Sequence, residues 1–166
     1  MAESTRSLFT RKTWIVAGLI VVGAVVSDQA SKAWARSALA HGAQVPLVGD
    51  LVSLRLVHNS GAAFSFASNM TWVLTVFTVI VICFLLVLTL RVRRALSLYA
   101  IALLMGGAVG NLIDRLSAEP GFGVGHVTDF IGYGNLFVGN VADIWIVLGA
   151  PLLALALSRE PREDEQ

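Results

Sequence analysis

Four long apolar runs, Trp14–Ser27, Trp72–Leu90, Leu96–Ile113 and Val141–Leu157, constrain this chain more than anything else in it. With flanking turns, each approaches the roughly 20 residues that cross the hydrocarbon core of a bilayer as a helix. Their weight shows in the composition. Of 166 residues, 56% are apolar and 14% charged, and the mean hydropathy is +0.76. A water-soluble domain of this size needs more polar surface, so lipid is the expected solvent. A net charge of +1 gives no reason to expect nucleic acid as a partner. The one cysteine, Cys83, lies inside "VIVICFLLVL", has no intrachain partner, and reads as a packing or lipid-facing residue.

The first run admits a second reading. Arg11 and Lys12, an apolar stretch and then "ARSALA" resemble a secretory signal with an Ala-x-Ala cleavage site. Charges in "SDQASKAW" interrupt the run well before Ala38, however, and three more spans follow, so an uncleaved first helix fits better. Basic residues set the expected orientation. Arg6, Arg11 and Lys12 precede the first span, Arg91, Arg93 and Arg94 separate the second from the third, and Arg159 and Arg162 follow the fourth. All fall on one side if both termini are cytoplasmic. The expectation is a single-domain α-helical integral membrane protein with four transmembrane helices, over about 14–35, 71–90, 96–113 and 141–157. The tail 158–166 reads as a solvated, disordered cytoplasmic terminus.

Two segments remain for the outer side. In 45–66, Leu54, Leu56 and His58 alternate with Ser53, Arg55 and Val57, the period of a strand, between turn signals at Gly49-Asp50 and Asn59-Ser60-Gly61. A small sheet on the membrane surface is expected there. The segment 117–139 is rich in glycine and reads as a mobile loop or short helix. Six acids, Asp28, Asp50, Asp114, Glu119, Asp129 and Asp143, lie on or at the edge of this same side. Ionisable groups at the ends of membrane helices are costly and tend to mark function.

Several constellations compete for that function. Asp28 and Lys32 are one helical turn apart and can pair, either as a helix-end ion pair or as a support for neighbouring loops. Gly106 and Gly110 have the small-xxx-small spacing of close helix contact, and Asn111, Asp114 and Arg115 cluster within a turn beyond them. A metal site from His126, Asp129, Asp143 and Asp114 lacks any recognised ligand spacing. A Ser–Lys mechanism, with Ser31, Ser60 or Ser65 as nucleophile, would need Lys32 neutral, which Asp28 beside it opposes. Asp129 and Asp143 make the stronger case. Two carboxyls brought together in a poorly solvated place cannot easily both ionise, so one keeps its proton. The ionised member then takes a proton from attacking water, and the protonated member donates to the carbonyl oxygen and the leaving amine. No metal or organic cofactor is called for. A membrane scaffold or transport subunit whose outer acids bind a cation is the nonenzymatic alternative.

The blocks "DQASK" (28–32), "NSGAAFSF" (59–66), "GNLIDR" (110–115), "HVTDFI" (126–131) and "NVAD" (140–143) resemble, in order, the five sequence blocks of the lipoprotein signal peptidases, or signal peptidase II. The resemblance covers roughly Asp28 to Ala150. It implies a bacterial inner-membrane aspartyl endopeptidase that removes the signal peptide of a prolipoprotein on the amino side of its diacylglyceryl-modified cysteine. It further implies Asp129 and Asp143 as the catalytic pair. Asn59, Gly61, Asn111 and Arg115 would bind the substrate, or cyclic peptide inhibitors such as globomycin, and Asp28, Lys32, Asp114 and Asn140 would support the site. The outer sheet would be a periplasmic cradle, 117–139 a flap over it, and membrane lipids the surroundings. Two positions depart from the family pattern: Gly139 stands where an aromatic residue is usual, and Ile144 where a small or polar one is common.

Overall fold

The computed structural model describes residues 9–61 and 71–159. Residues 62–66 of the expected sheet, Ser65 among them, and 160–166 of the tail lie outside the described residues. The four apolar runs are four helices: α1 (Arg11–Ala38), α2 (Thr71–Thr89), α3 (Ala95–Ser117) and α4 (Val141–Leu157). The first three are each long and apolar enough to cross a membrane, and α4, at 17 residues, is the shorter one. Thr10 starts α1 by accepting a hydrogen bond from the Thr13 amide on its side-chain oxygen.

Large apolar side chains face outward along these helices, among them Leu19, Val26, Phe77, Phe84 and Val147. In water such a surface would aggregate; in lipid it is the expected exterior. What packs inward is small. On α1 the buried positions are Ala17, Ala24, Asp28, Lys32 and Ala35, a single face at helical spacing. Opposite them on α3 are Gly106 and Gly110. A Cβ on Gly106 would lie 2.5 Å from that of Ala24, and one on Gly110 would lie 2.6 Å from Oδ2 of Asp28. The missing side chains therefore let α3 approach the polar turn of α1, as the spacing in the sequence predicts. A separate cluster of Phe9, Ala17, Leu85, Val92, Leu98 and Ile101 closes the far end of the bundle.

The end where α1 and α3 finish and α4 begins carries a four-stranded antiparallel sheet, in the order β1 (Gln44–Val48), β2 (Val52–Asn59), β3 (Val127–Tyr133), β4 (Phe137–Gly139). The sheet is thus larger than the sequence reading, which confines it to 45–66 and leaves 117–139 as loop. Half of its strands come from that glycine-rich segment. The physical reason lies in "VTDFIGY" (127–133), whose β-branched and aromatic residues suit a pleated surface. Strand β2 supplies a ready edge, pairing Asn59 with Val127, Val57 with Asp129 and Leu54 with Ile131, with a bulge between Leu54 and Val57. The sheet is fastened to the bundle by Phe130, which packs with Ala35 and Leu39 and meets Trp34 edge-on at 6.3 Å. Arg36 adds a hydrogen bond to the Thr128 hydroxyl, 3.0 Å.

Candidate active site

A lysine ammonium has three N–H bonds and no lone pair. On α1, Lys32 is fully buried and spends all three on protein acceptors: Asp28 Oδ2 at 2.8 Å, Asp114 Oδ2 at 3.0 Å and Asn111 Oδ1 at 2.9 Å. The i,i+4 pair expected within α1 is present, but it is one arm of a junction that also holds α3. The two carboxylates continue outward. Asp28 Oδ1 accepts the Ala142 amide at 2.9 Å, fixing the first turn of α4, and Asp114 Oδ2 accepts the Thr128 amide at 3.0 Å, fixing β3. Gln29 bridges the same pair, donating to Asp28, to Asp114 and to the Gly110 carbonyl. Sequence reasoning passes over Gln29; its place beside Asp28 in "DQASK" is the only signal it offers.

This junction sets the orientation of the next layer. Because Lys32 can only donate, it holds the oxygen of the Asn111 amide and turns the nitrogen away. That nitrogen donates to Asp143 Oδ1 at 3.0 Å. Asn140, the N-cap of α4, accepts the Asp143 amide on its side chain, while its own amide donates to Asp143 Oδ2 at 3.0 Å, a reciprocal capping box. The Asn140 side-chain nitrogen then reaches Asp129 Oδ1 at 2.6 Å and Asn111 Oδ1 at 3.0 Å. One residue thus ties the two carboxylates together. Asn59 completes the set. Its nitrogen donates to Asp129 Oδ2 at 2.8 Å, and its oxygen is held by the Gly61 amide at 2.8 Å.

All ten residues singled out in the sequence converge here, from α1, β2, its following turn, α3, β3 and the start of α4. Asp129 and Asn140 are buried, whereas Asp143, Asn111 and Asn59 are half-buried, so the cluster has an open face. Arg115 is buried in the field of Asp129 and Asp114, and among the described residues its Nη1 has no hydrogen-bond partner. Four carboxyls share the region with two cations. Asp129 responds: its carboxyl is pushed from 3.8 up to about 6, chiefly by burial and further by the charge of Asp143. Hydrogen bonds from Asn59 and Asn140 and the charge of Lys32 oppose the rise.

The competing constellations do not assemble. With three acceptors on its ammonium, Lys32 is not arranged as a base, and the neighbouring Ser31 hydroxyl donates to the Asp28 carbonyl of its own helix. Among the described residues no group of three or more His, Cys, Asp or Glu side chains has metal-holding geometry. Gly139 sits under the capping box: a Cβ there would lie 2.9 Å from Asp143 Oδ2 and 3.5 Å from the Phe137 ring. Ile144 is exposed and lines a groove together with Phe137 and Asp143.

The family model of signal peptidase (SPase) II matches residues 20–159. This chain belongs to the signal peptidase II family. Curated relatives agree. A lipoprotein signal peptidase of Rhodococcus jostii is 42% identical over 142 residues, covering 86% of this chain and 70% of that one. One from Leifsonia xyli is 42% identical over 149 residues (86% and 69%), and one from Bifidobacterium longum 40% over 143 (86% and 78%). The fold is similar to that of a bacterial membrane enzyme solved by the in meso method at 1.9 Å. The TM-score is 0.74 at 26% identity, covering 87% of this chain and 93% of that one. The chain is therefore a membrane-embedded peptidase, and the scaffold or transport reading falls away.

Proposed function

We propose that this protein cleaves the signal peptide from diacylglyceryl-modified prolipoproteins, on the amino side of the lipidated cysteine, with Asp129 and Asp143 as an aspartyl dyad. The observation that carries the reading is the coupling of the two carboxyls through Asn140, with one of them pushed up to about 6. Asp129 is the member that holds the proton. Asp143, less buried than Asp129 and set in the first turn of α4, is the base.

Water attacks the scissile carbonyl carbon and gives a proton to Asp143, while Asp129 protonates the carbonyl oxygen. The tetrahedral diol then collapses. The proton on Asp143 passes to the leaving amine, the C–N bond breaks, and a diol hydroxyl returns a proton to Asp129, restoring the pair. Arg115, whose Nη1 meets no acceptor among the described residues, holds a substrate carbonyl, and the partly exposed Asn59 and Asn111 face the substrate backbone. A cyclic peptide such as globomycin would occupy the same groups. The basic residues favour both termini in the cytoplasm of a bacterium, with the site at the outer face of its inner membrane, where a bond anchored by two acyl chains arrives.

The test is cleavage of a synthetic diacylglyceryl precursor by the purified protein in detergent, read by mass spectrometry. The expected product begins at the lipidated cysteine. Cleavage at another bond, or equal cleavage of the unlipidated peptide, contradicts the reading.

A further inference from the structure

Strand β3 has a second face, turned away from the acid pair. Side chains alternate along a strand, so Thr128 stands on the opposite face from Asp129, and the register sets His58 of β2 directly across from Thr128. These two help to line a cavity of about 410 Å³ with Gln29 and Arg36 of α1, Asp114 of α3 and Glu119 just beyond it. Its opposite charges do not meet. Arg36 donates to the Thr128 hydroxyl at 3.0 Å, but among the described residues neither Arg36 nor Glu119 closes a salt bridge. Thr128, only 2% exposed, accepts from Arg36 and among the described residues donates its hydroxyl proton to nothing. Asp114 is already matched by Lys32.

Below the cavity, α1 changes character along a single face. Val22, Val26, Gln29 and Arg36 follow at i, i+4, i+7 and i+14 spacing, the two valines 58% and 59% exposed. Toward the sheet that face reads hydrocarbon, amide, guanidinium, the sequence of chemistries met along a glycerophospholipid from tail to head. We propose that the cavity and this face bind a zwitterionic phospholipid of the surrounding bilayer, one with an ethanolamine head. Its phosphate takes Arg36, the Thr128 hydroxyl and a ring N–H of His58; its ammonium takes Glu119; its tails lie along Val22 and Val26. The charge balance selects the zwitterion. One guanidinium faces two carboxylates, and the Lys32 that answers Asp114 is shared with Asp28. A head of net negative charge meets repulsion there that an ammonium relieves. The occupant is not the proposed substrate, whose reacting bond belongs on the other face of β3 and whose diacylglyceryl group carries neither phosphate nor ammonium.

The experiment needs no cleavage. Protein stripped of lipid in dodecyl maltoside is melted with dioleoyl phosphatidylethanolamine, dioleoyl phosphatidylglycerol or water-soluble glycerophosphoethanolamine. Phosphatidylethanolamine should raise Tm saturably, by about 5 °C or more at a hundredfold excess over half-saturation, and phosphatidylglycerol by less than about half as much. Glu119→Gln, at an exposed position, should keep a rise but erase the difference between the two lipids, and Arg36→Gln should abolish both rises. No rise, equal rises in wild type, or a preference that survives in Glu119→Gln overturns the proposal. A full rise with glycerophosphoethanolamine alone makes a soluble headgroup the ligand, and the lipid assignment fails. A second measurement stands even if Arg36→Gln does not fold. Phosphatidylethanolamine with a photoreactive diazirine in the upper part of its tails should crosslink to Val22 or Val26 of wild type; crosslinks confined to α2 or α4 refute the assignment.

Discussion

Replacing Lys32 with methionine removes the ammonium and keeps most of the apolar stem. Two buried carboxylates, Asp28 and Asp114, then lose the cation that neutralises them, and the Asn111 oxygen keeps only its Asn140 donor. Breaking a buried ion pair from one side costs about 3–5 kcal/mol. Escape by protonation costs about the same, since an ordinary carboxyl ionising near pH 4 takes about 4 kcal/mol to protonate at pH 7. For a chain of this size that corresponds to a fall in Tm on the order of 10 °C. The protonation route also fixes the pH dependence. At pH 5 it costs about 1.5 kcal/mol per group, so the deficit relative to wild type must shrink as pH falls. Thermal melts of both proteins in one detergent at pH 5 and pH 7.5 give the comparison. An unchanged Tm, or a deficit that grows in acid, would refute the role assigned to the three-acceptor junction. Activity should fall too, because the orientation of the Asn111 amide toward Asp143 then rests on Asn140 alone.

Asp129 makes stability and rate depend on pH in the same window. Its folded value of about 6 lies above the ordinary 3.8, so the folded chain binds the proton more tightly than the unfolded one. Its contribution is fully present below about pH 4 and is lost as pH rises through 6, a change of about 3 kcal/mol. Tm of wild type should therefore decline between pH 5 and 7, and Asp129→Asn should lose that part of the decline. The cleavage rate, which needs one proton on the dyad, should fall about tenfold per unit above pH 6; a rate that keeps rising to pH 9 contradicts the assignment. Asn140→Asp keeps an N-cap acceptor but sets a buried third carboxylate against Asp129, so kcat should collapse and Tm should fall at pH 7, less so at pH 5. Asn140→Ala should also lose about 1 kcal/mol of helix capping, readable in a melt. Gly139→Ala places a Cβ 2.9 Å from Asp143 Oδ2 and should lower kcat more than it alters KM.

The spans were legible because each apolar run is long and its glycines recur at a packing period. Strand β3 was not, since glycines before and after "VTDFIGY" hide a run of residues suited to a sheet. For the site, the quoted blocks led to ten residues that the fold brings together, yet spacing alone reached only contacts within a turn, such as Asp28 with Lys32. The contacts that organise the cluster join residues far apart in the chain: Lys32 with Asn111 and Asp114, Asp28 with the Ala142 amide, Asn59 with Asp129. No local periodicity encodes them. They follow from the approach of α3 to α1 that Gly106 and Gly110 allow, and from the pairing of β2 with β3. The bridging role of Asn140 was hidden for the same reason: one side chain caps a helix and touches an acid from another strand.

The most direct test is single-turnover cleavage of the diacylglyceryl precursor by Asp129→Asn and Asp143→Asn, each first shown by its melt to be folded. Both substitutions keep side-chain size and remove one acid–base group. The account predicts that each lowers the rate by at least about 10²–10⁴-fold, and that the double variant is little slower than either alone, because the pair acts as a unit. Wild-type cleavage by folded Asp143→Asn would contradict it.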